Sequence, residues 1–296
     1  MHRRLALVLG LLAAGGASAA DGYYRFPTLA GDSLVFTAEG DLWSAAASGG
    51  KATRLTTHAG QETNASASPD GKWVAFAGTY DGPVEVYVMP VAGGAPKRAT
   101  FDGGRDVPIG WTPSGEVLYS TQSTDGPSGQ REVAAVDPAS LKRHLLPLAD
   151  VTDAAVSPDG KTLYFTRFGL PYSNDNIRAY RGGLLSRLWR FDLSGAHEAE
   201  VLPPPDQPAN ERMPMISGDR LYIVSDRDGR DNLWSMKLDG TDRKQLTRHA
   251  DFAVRGASLS KGRIVYQLGA DLHLFDIASG TDKAIALDLA SDFAQE

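Results

Sequence analysis

Residues 68–77 read Ser-Pro-Asp-Gly-Lys-Trp-Val-Ala-Phe-Ala, which is a tight turn followed by an apolar segment. Proline already has the backbone angle that the second position of a turn requires, and aspartate and glycine suit the positions that follow. The segment after the turn, and a second one at Glu85–Met89, have the length and the β-branched and aromatic content of strands. The stretch therefore predicts a β-hairpin.

The same plan recurs along the chain. A second copy spans Ser157–Thr166, and looser copies begin at Leu29, Thr112, Ile216 and Leu259. The last turn residues lie at 33, 72, 116, 161, 220 and 263, and most of the spacings match the ~40–50 residues of a propeller blade. We predict an all-β fold, a six-bladed β-propeller of four-stranded antiparallel blades. The predicted blades are approximately 21–60, 61–102, 103–149, 150–206, 207–249 and 250–290.

The third strand of most units carries an aromatic residue at one fixed place: Trp43, Tyr87, Trp189 and Trp234. One aromatic per blade predicts packing between neighbouring blades rather than a sugar-binding platform. His273 occupies this place in the last unit, and we interpret it as a histidine with satisfied hydrogen bonds, not a ligand. Since each unit has all its own strands, we expect no strand exchange, so that the first and sixth blades meet through side chains only.

The first twenty residues have the parts of a secretory signal peptide. A basic head, Met1–Arg4, precedes the apolar run Leu5–Ala14 and the cleavage pattern Ala17–Ala19. The apolar run is about half of the ~20 residues needed to span a bilayer. We therefore assign residues 1–20 to a signal peptide and residues 21–296 to the propeller. We expect periplasmic localisation and no membrane attachment after cleavage.

Composition and motif content exclude several classes of function. The 30 basic and 36 acidic residues give a net charge of −6, which argues against a nucleic-acid partner. The absence of cysteine excludes disulfides and thiol-ligated metals, and the six histidines are scattered, so we expect no zinc site. The sequence has no nucleophile elbow and no phosphate-binding loop. We predict no catalytic residue, no cofactor and no metal.

The segment Asp226–Asn232 has the most metal-like composition. Asp226, Asp228 and Asp231 are candidate ligands for Ca²⁺, which requires six to eight oxygens, but the glutamate that ends a calcium loop is replaced by Lys237. A hairpin turn, with a positive φ at Gly229, explains the pattern better.

The fourth unit is longer than the others, and its extra residues lie between Arg167 and Arg187. Arg178 and Arg181 occur there beside Tyr172 and Tyr180, a mixture that suits contact with a partner or an anionic group. We take the two arginines as substrate-binding candidates. A solvated loop without a binding role explains the insertion equally well.

Several blocks of the sequence resemble the six-bladed propeller of tricorn-type serine proteases. They are Tyr180–Gly183 before Arg187–Trp189, Leu221–Gly229, and Gly31–Phe36 with Asp41–Trp43. The turns alone are less specific, because the propellers of the Tol system and of prolyl-oligopeptidase relatives share them. The resemblance covers essentially the whole chain after the signal peptide.

The resemblance implies a non-catalytic propeller that gates or handles peptides for a peptidase. In this family a second propeller, a PDZ domain and peptidase domains follow, so the expected partners are peptides or unfolded polypeptide and those C-terminal domains, with a homo-oligomer formed through the full-length protein. The chain would then be the N-terminal part of such a protease. In this family a basic loop between the second and third blades helps to hold the C-terminal carboxylate of a peptide. The matching place here is Asp102–Asp106, so the resemblance implies that role for Arg105, although Asp102 and Asp106 flank it.

Two other hypotheses remain. The chain could be a stand-alone periplasmic interaction propeller similar to that of the Tol system. A propeller enzyme with a metal in its axial channel is less favoured, because the innermost segments, such as Ala65–Ala67, are mainly small or apolar.

Overall fold

The predicted turns form because their side chains satisfy the backbone locally. In the computed structural model, which describes residues 22–122, 131–167, 169 and 180–290, the Ser68 hydroxyl donates to Asp70 (2.6 Å) and accepts from the backbone N–H of Trp73 (3.0 Å). Gly71 has a φ of 71°, which favours glycine. Ser157 makes the same two contacts in its own turn.

Six antiparallel sheets of four strands each, ordered along the chain, follow from these turns, as predicted. The innermost strands of neighbouring blades contact one another around the ring. They are β1 (Arg25–Ala30), β6 (Glu62–Ala67), β10 (Val107–Trp111), β14 (Val151–Val156), β18 (Glu211–Ser217) and β22 (Val254–Ser260). The second strands are β2 (Ser33–Ala38), β7 (Trp73–Gly78), β11 (Val117–Thr121), β15 (Thr162–Arg167), β19 (Arg220–Ser225) and β23 (Arg263–Leu268).

The outer half of each blade completes the sheet. The third strands are β3 (Asp41–Ala46), β8 (Glu85–Pro90), β12 (Glu132–Val136), β16 (Arg187–Asp192), β20 (Asn232–Lys237) and β24 (Asp271–Asp276). The outermost strands are β5 (Thr53–Arg54), β9 (Lys97–Arg98), β13 (Arg143–Ala149), β17 (Glu200–Val201), β21 (Lys244–Gln245) and β25 (Asp282–Ala284). Two further short strands, β4 (Gly50–Lys51) and β26 (Leu287–Asp288), lie outside the blades.

The hydrophobic core is divided among the interfaces between blades. Successive residues of a strand point to opposite faces, so Leu34 and Phe36 of β2 pack toward blade 6, whereas Val35 packs toward blade 2. Trp43 and Tyr87 are buried in two of these interfaces. The prediction that the third-strand aromatics pack between blades is therefore confirmed.

The ring closes differently from our expectation. Each four-stranded blade keeps its own strands, but β26, which follows the last blade, pairs in parallel with β4 of the first unit. The backbone N–H of Gly50 donates to Ala286 (2.8 Å) and that of Ala52 donates to Asp288 (2.8 Å). The expectation of closure through side chains alone is therefore wrong, because a segment beyond the last blade supplies backbone hydrogen bonds. The described residues include no helix that is long and apolar enough to span a bilayer.

Candidate functional site at one rim of the channel

Alternating strand directions place two kinds of connection at opposite rims of the propeller. The turns between first and second strands form one rim, which we call the turn rim. The connections between second and third strands, and the links from one blade to the next, form the other, which we call the loop rim. The strand ends that flank the longest second-to-third connections, Thr121 and Glu132 in blade 3 and Arg167 and Arg187 in blade 4, all lie at the loop rim.

The predicted site residues within the described part of the chain all belong to the loop rim. Arg105 lies in the link between blades 2 and 3, Arg181 in the long connection of blade 4, and Asp226, Asp228 and Asp231 in or beside the corresponding connection of blade 5. Arg178 lies outside the described residues. Antiparallel topology brings together on one rim residues that the sequence separates by more than a hundred positions.

Arg105 has an exposed side chain with no hydrogen bond or ion pair to any described residue. The two acids that flank it are engaged elsewhere. Asp102 accepts a hydrogen bond from the Tyr119 hydroxyl (2.9 Å) and pairs with Arg143 (3.2 Å), while Asp106 is fully buried. The neighbouring acids therefore do not neutralise Arg105 by direct pairing.

The burial of Asp106 also changes its charge. Removal from water raises the pKa of this carboxyl to about 7. At neutral pH the side chain is therefore only partly ionised. Arg105 therefore has less negative charge next to it in the chain than the sequence suggests.

Arg181, in contrast, is held by Asp226. Its guanidinium donates to the Asp226 carboxylate (2.8 Å) and to the Asp226 carbonyl (3.1 Å). The side chain of Asn210 donates to the same carboxylate (2.8 Å), as does its backbone N–H. This network joins the long connection of blade 4 to blade 5, so Arg181 already has an anionic partner.

The three aspartates of the metal-like segment face three different partners. Asp226 binds Arg181 and Asn210, Asp228 accepts from Gln245 (3.1 Å), and Asp231 pairs with Arg212 (2.7 Å). The backbone of Gly229, with a φ of 89°, closes a turn onto the Asp226 carbonyl. This arrangement fits the hairpin interpretation, because the carboxylates do not converge on one point.

Sequence reasoning missed three arginines near the starts of innermost strands, on the loop rim. Every innermost strand has a register shift near its start, and Arg25, Arg212 and Arg255 immediately precede it in blades 1, 5 and 6. Arg212 pairs with Asp231 at the blade interior, and Arg25 lies over the Tyr23 ring (5.5 Å). The three arginines occupy equivalent positions because each immediately precedes the β-bulge of its strand. The sequence of a single strand does not reveal such a bulge.

Two surface grooves lie near the turn rim. One is lined by Asp159–Thr162, Arg190 and His197, and the other by Thr112–Ser114, His144 and Gly195. Neither contains any of the predicted arginines. The polar chemistry that the sequence singled out therefore lies at the opposite rim.

Comparison with known proteins identifies relatives over nearly the whole chain. The family described as the tricorn protease N-terminal beta propeller domain matches residues 21–281. A putative tricorn protease homolog 2 from Streptomyces coelicolor is 34% identical over 263 residues, which cover 86% of this chain and 22% of that protein. The chain thus spans about a quarter or less of the length of such relatives.

A separate subunit and a solved structure add to this comparison. A putative tricorn-like protease N-terminal subunit from Sulfurisphaera tokodaii is 25% identical over 167 residues, 55% of this chain and 83% of that protein. The crystal structure of the tricorn protease superposes with a TM-score of 0.77 and 24% identity, covering 89% of this chain and 26% of the other. At that identity the superposition supports the fold alone.

Proposed function

Because the chain belongs to the tricorn protease N-terminal β-propeller family, we propose that it is the non-catalytic propeller of a periplasmic tricorn-like serine peptidase. In this role it gates or handles peptides for a catalytic domain that this chain does not contain. Its partners are peptides or unfolded polypeptide and the C-terminal propeller, PDZ and peptidase domains of the same parent protein. We assign no catalytic residue to the chain.

The observation that carries the peptide-handling proposal is the exposed guanidinium of Arg105 on the loop rim, which pairs with no residue of the described part of the chain. A planar guanidinium binds a carboxylate through two parallel hydrogen bonds, and the free C-terminus of a peptide supplies such a group. Arg25 and Arg255 begin or nearly begin innermost strands on the same rim and add positive charge there, whereas the charge of Arg212 is balanced by Asp231. Arg181 has a positioning role instead, since Asp226 occupies its guanidinium.

Peptide binding to the purified chain tests this role. We expect a fluorescent peptide with a free C-terminal carboxylate to bind more tightly than its C-terminal amide in a polarisation assay. Arg105→Ala should weaken binding of the free acid by roughly tenfold and remove the preference over the amide. The matched control Arg190→Ala, which removes an arginine near the turn rim, should leave both affinities unchanged.

Two results would contradict the proposal for Arg105. One is equal binding of the acid and the amide by the parent chain. The other is unchanged acid binding in Arg105→Ala, measured with the chain or as an unchanged peptide-length preference in the full-length peptidase.

Periplasmic localisation rests on residues 1–20, which lie outside the described residues. Fusion of these residues to alkaline phosphatase, which is active only after export, should give active enzyme in a bacterial host. Replacement of Leu9 and Leu11 by Asp should abolish this activity, because an apolar run is required for export. Activity that survives the replacement would contradict the assignment.

A stand-alone interaction propeller is the second candidate. The similarity to a separate N-terminal subunit favours the view that such a propeller can function as its own polypeptide. The two candidates differ in what the gene encodes next to this segment. An uninterrupted reading frame into peptidase domains supports the first, and a stop codon soon after this segment supports the second.

A further inference from the structure

Two histidines, an aspartate and a tyrosine meet on the outer part of blade 6, on the face that packs against blade 5. Tyr266 on β23 is paired directly with His273 on β24, and Asp282 on β25 lies two residues before Ala284, the other partner of His273. Three neighbouring strands therefore place these side chains on one face. The cluster is completed by His249, which comes from the link after blade 5.

The position of His249 is fixed by its backbone. Its N–H donates to the Asn232 side-chain oxygen (2.8 Å), and its carbonyl accepts from the Asn232 side-chain nitrogen (3.2 Å). Asn232 begins the third strand of blade 5 and is buried. The histidine therefore reaches blade 6 from a rigid support on blade 5.

The Asp282 carboxylate lies between the two imidazoles. One of its oxygens is 3.2 Å from His249 Nε2, and the other is 3.3 Å from His273 Nδ1. One nitrogen of each ring and one carboxylate oxygen all lie within 4.8 Å of one another. Ligands of a tetrahedral zinc ion with bonds of about 2.0–2.1 Å are about 3.3 Å apart. Each imidazole nitrogen is already at about that distance from one of the two carboxylate oxygens, and coordination through a single oxygen would draw the three ligand atoms, now within 4.8 Å, closer together.

The same place in other blades shows what is special here. In blade 3 the same place holds Asp102, Tyr119 and Arg143. Asp102 forms an ion pair with Arg143 and accepts a hydrogen bond from Tyr119, and the third strand contributes Ala134. That cluster joins the link from the preceding blade to the strands of the next through opposite charges. Blade 6 keeps the tyrosine but replaces the ion pair with two imidazoles and a carboxylate.

Blade 2 provides a second comparison. The link that leads into blade 2 carries His58 at the position equivalent to His249. Each histidine comes two residues after a threonine, Thr56 or Thr247, whose hydroxyl accepts a backbone N–H from the third strand of the preceding blade. However, Tyr87 occupies the place of His273, and Pro96 occupies that of Asp282. A histidine in the link is therefore not enough to create the cluster.

We propose that His249, His273 and Asp282 bind one divalent transition-metal ion of the zinc type. Imidazole and carboxylate ligands suit zinc and its first-row neighbours, whereas calcium and magnesium prefer sets composed of oxygen alone. The fourth ligand is water or the Tyr266 hydroxyl, which is 2.8 Å from His249 Nε2. The three side chains are 18 to 22% exposed, so an ion can reach them.

The bound ion joins the link after blade 5 to the two outer strands of the last blade. This goes beyond peptide handling and is independent of it, because the cluster contains none of the loop-rim arginines. It also departs from our expectation of no zinc site. The ligands are separated by 24 and 9 positions, and no zinc motif has that spacing.

Zinc binding by the purified, metal-free chain tests the proposal. In competition with a chromophoric chelator we expect one Zn²⁺ per chain, with a Kd of about 1 μM or tighter. X-ray absorption at the zinc edge should show nitrogen and oxygen ligands with the signature of two imidazoles. Zinc at about 100 times Kd should raise the Tm by roughly 5 °C.

Matched variants separate the cluster from general metal binding. His273→Phe restores the aromatic type found in other blades, and Asp282→Asn preserves shape, so both should remain folded by circular dichroism yet bind zinc at least tenfold more weakly. His58→Gln removes the equivalent histidine of blade 2 and should bind as the parent does. The proposal is overturned if the parent takes up no zinc, or if either cluster variant binds it as tightly as the parent.

Discussion

Gly49 precedes the short strand that closes the ring, and its replacement by alanine tests how much that closure contributes to stability. Gly49 has a φ of 91°, and a Cβ atom there would meet the backbone carbonyl oxygen of Ala286. That same oxygen accepts the hydrogen bond from Gly50. Gly49→Ala therefore pushes the β26 segment away from β4 as well as straining the backbone.

The magnitude follows from these two effects. A positive φ costs a non-glycine residue about 1–2 kcal/mol. Loss of the hydrogen bonds from Gly50 and Ala52 adds about 0.5–1.5 kcal/mol each. Gly49→Ala should thus lower the free energy of unfolding by about 3 kcal/mol.

Gly40→Ala is the matched control, because Gly40 has a φ of 86° and nothing lies within 4 Å of its Cβ position. Gly40→Ala should lower the free energy of unfolding only by the backbone strain of a positive φ, about 1–2 kcal/mol. Urea denaturation measures both values, and hydrogen exchange at the Gly50 and Ala52 amides reports whether the pairing is lost. Equal destabilisation by the two substitutions, with both amides still protected, would refute the reasoning.

Three further predictions concern buried polar groups. Burial raises the pKa of Asp106 to about 7, so folding favours the protonated form of this carboxyl and the free energy of unfolding should fall as pH rises from about 4 to 7. Asp106→Asn should remove this loss. In urea titrations at pH 8 the variant should be more stable than the parent by roughly 1–3 kcal/mol. Asp226→Ala leaves Arg181 and Asn210 without their shared partner and should lower the free energy of unfolding, measured by urea denaturation, by about 3 kcal/mol. The control Asp228→Ala, at an exposed residue, should lower it by less than about 0.5 kcal/mol. Equal effects of the two substitutions would contradict the network. The Thr247 hydroxyl accepts the backbone N–H of Leu233 and donates to the Asn232 side chain, so Thr247→Val should lower the free energy of unfolding by about 1–2 kcal/mol in the same assay. An unchanged value would show that these two hydrogen bonds do not contribute to stability.

The candidate site could be predicted only in part. Arg105 was identified by resemblance, and the structure places it on an exposed rim with its flanking acids engaged elsewhere. Arg181 has the same residue type and a similar local context, but Asp226, 45 positions away, occupies its guanidinium. Whether an arginine is available depends on partners in another blade, and local sequence carries no information about them.

Closure of the ring shows the same limit. Units with complete sets of strands were correctly predicted to exchange none, yet the pairing of Leu287 and Asp288 with Gly50 and Lys51 was not foreseen. Two-residue strands have no periodicity to detect. Their pairing arises because a closed ring of six blades brings the two ends of the propeller together.

The order of blades, the turn rim and the packing of Trp43 and Tyr87 were all encoded in local patterns, because turns such as Ser68–Gly71 and alternating apolar strands specify hairpins without help from distant residues. The pairing of Arg181 with Asp226, the arginines aligned by bulges, and the meeting of His249, His273 and Asp282 arise from contacts between units. Such contacts join residues that are far apart along the chain, and it is the geometry of the closed ring that brings them within bonding distance.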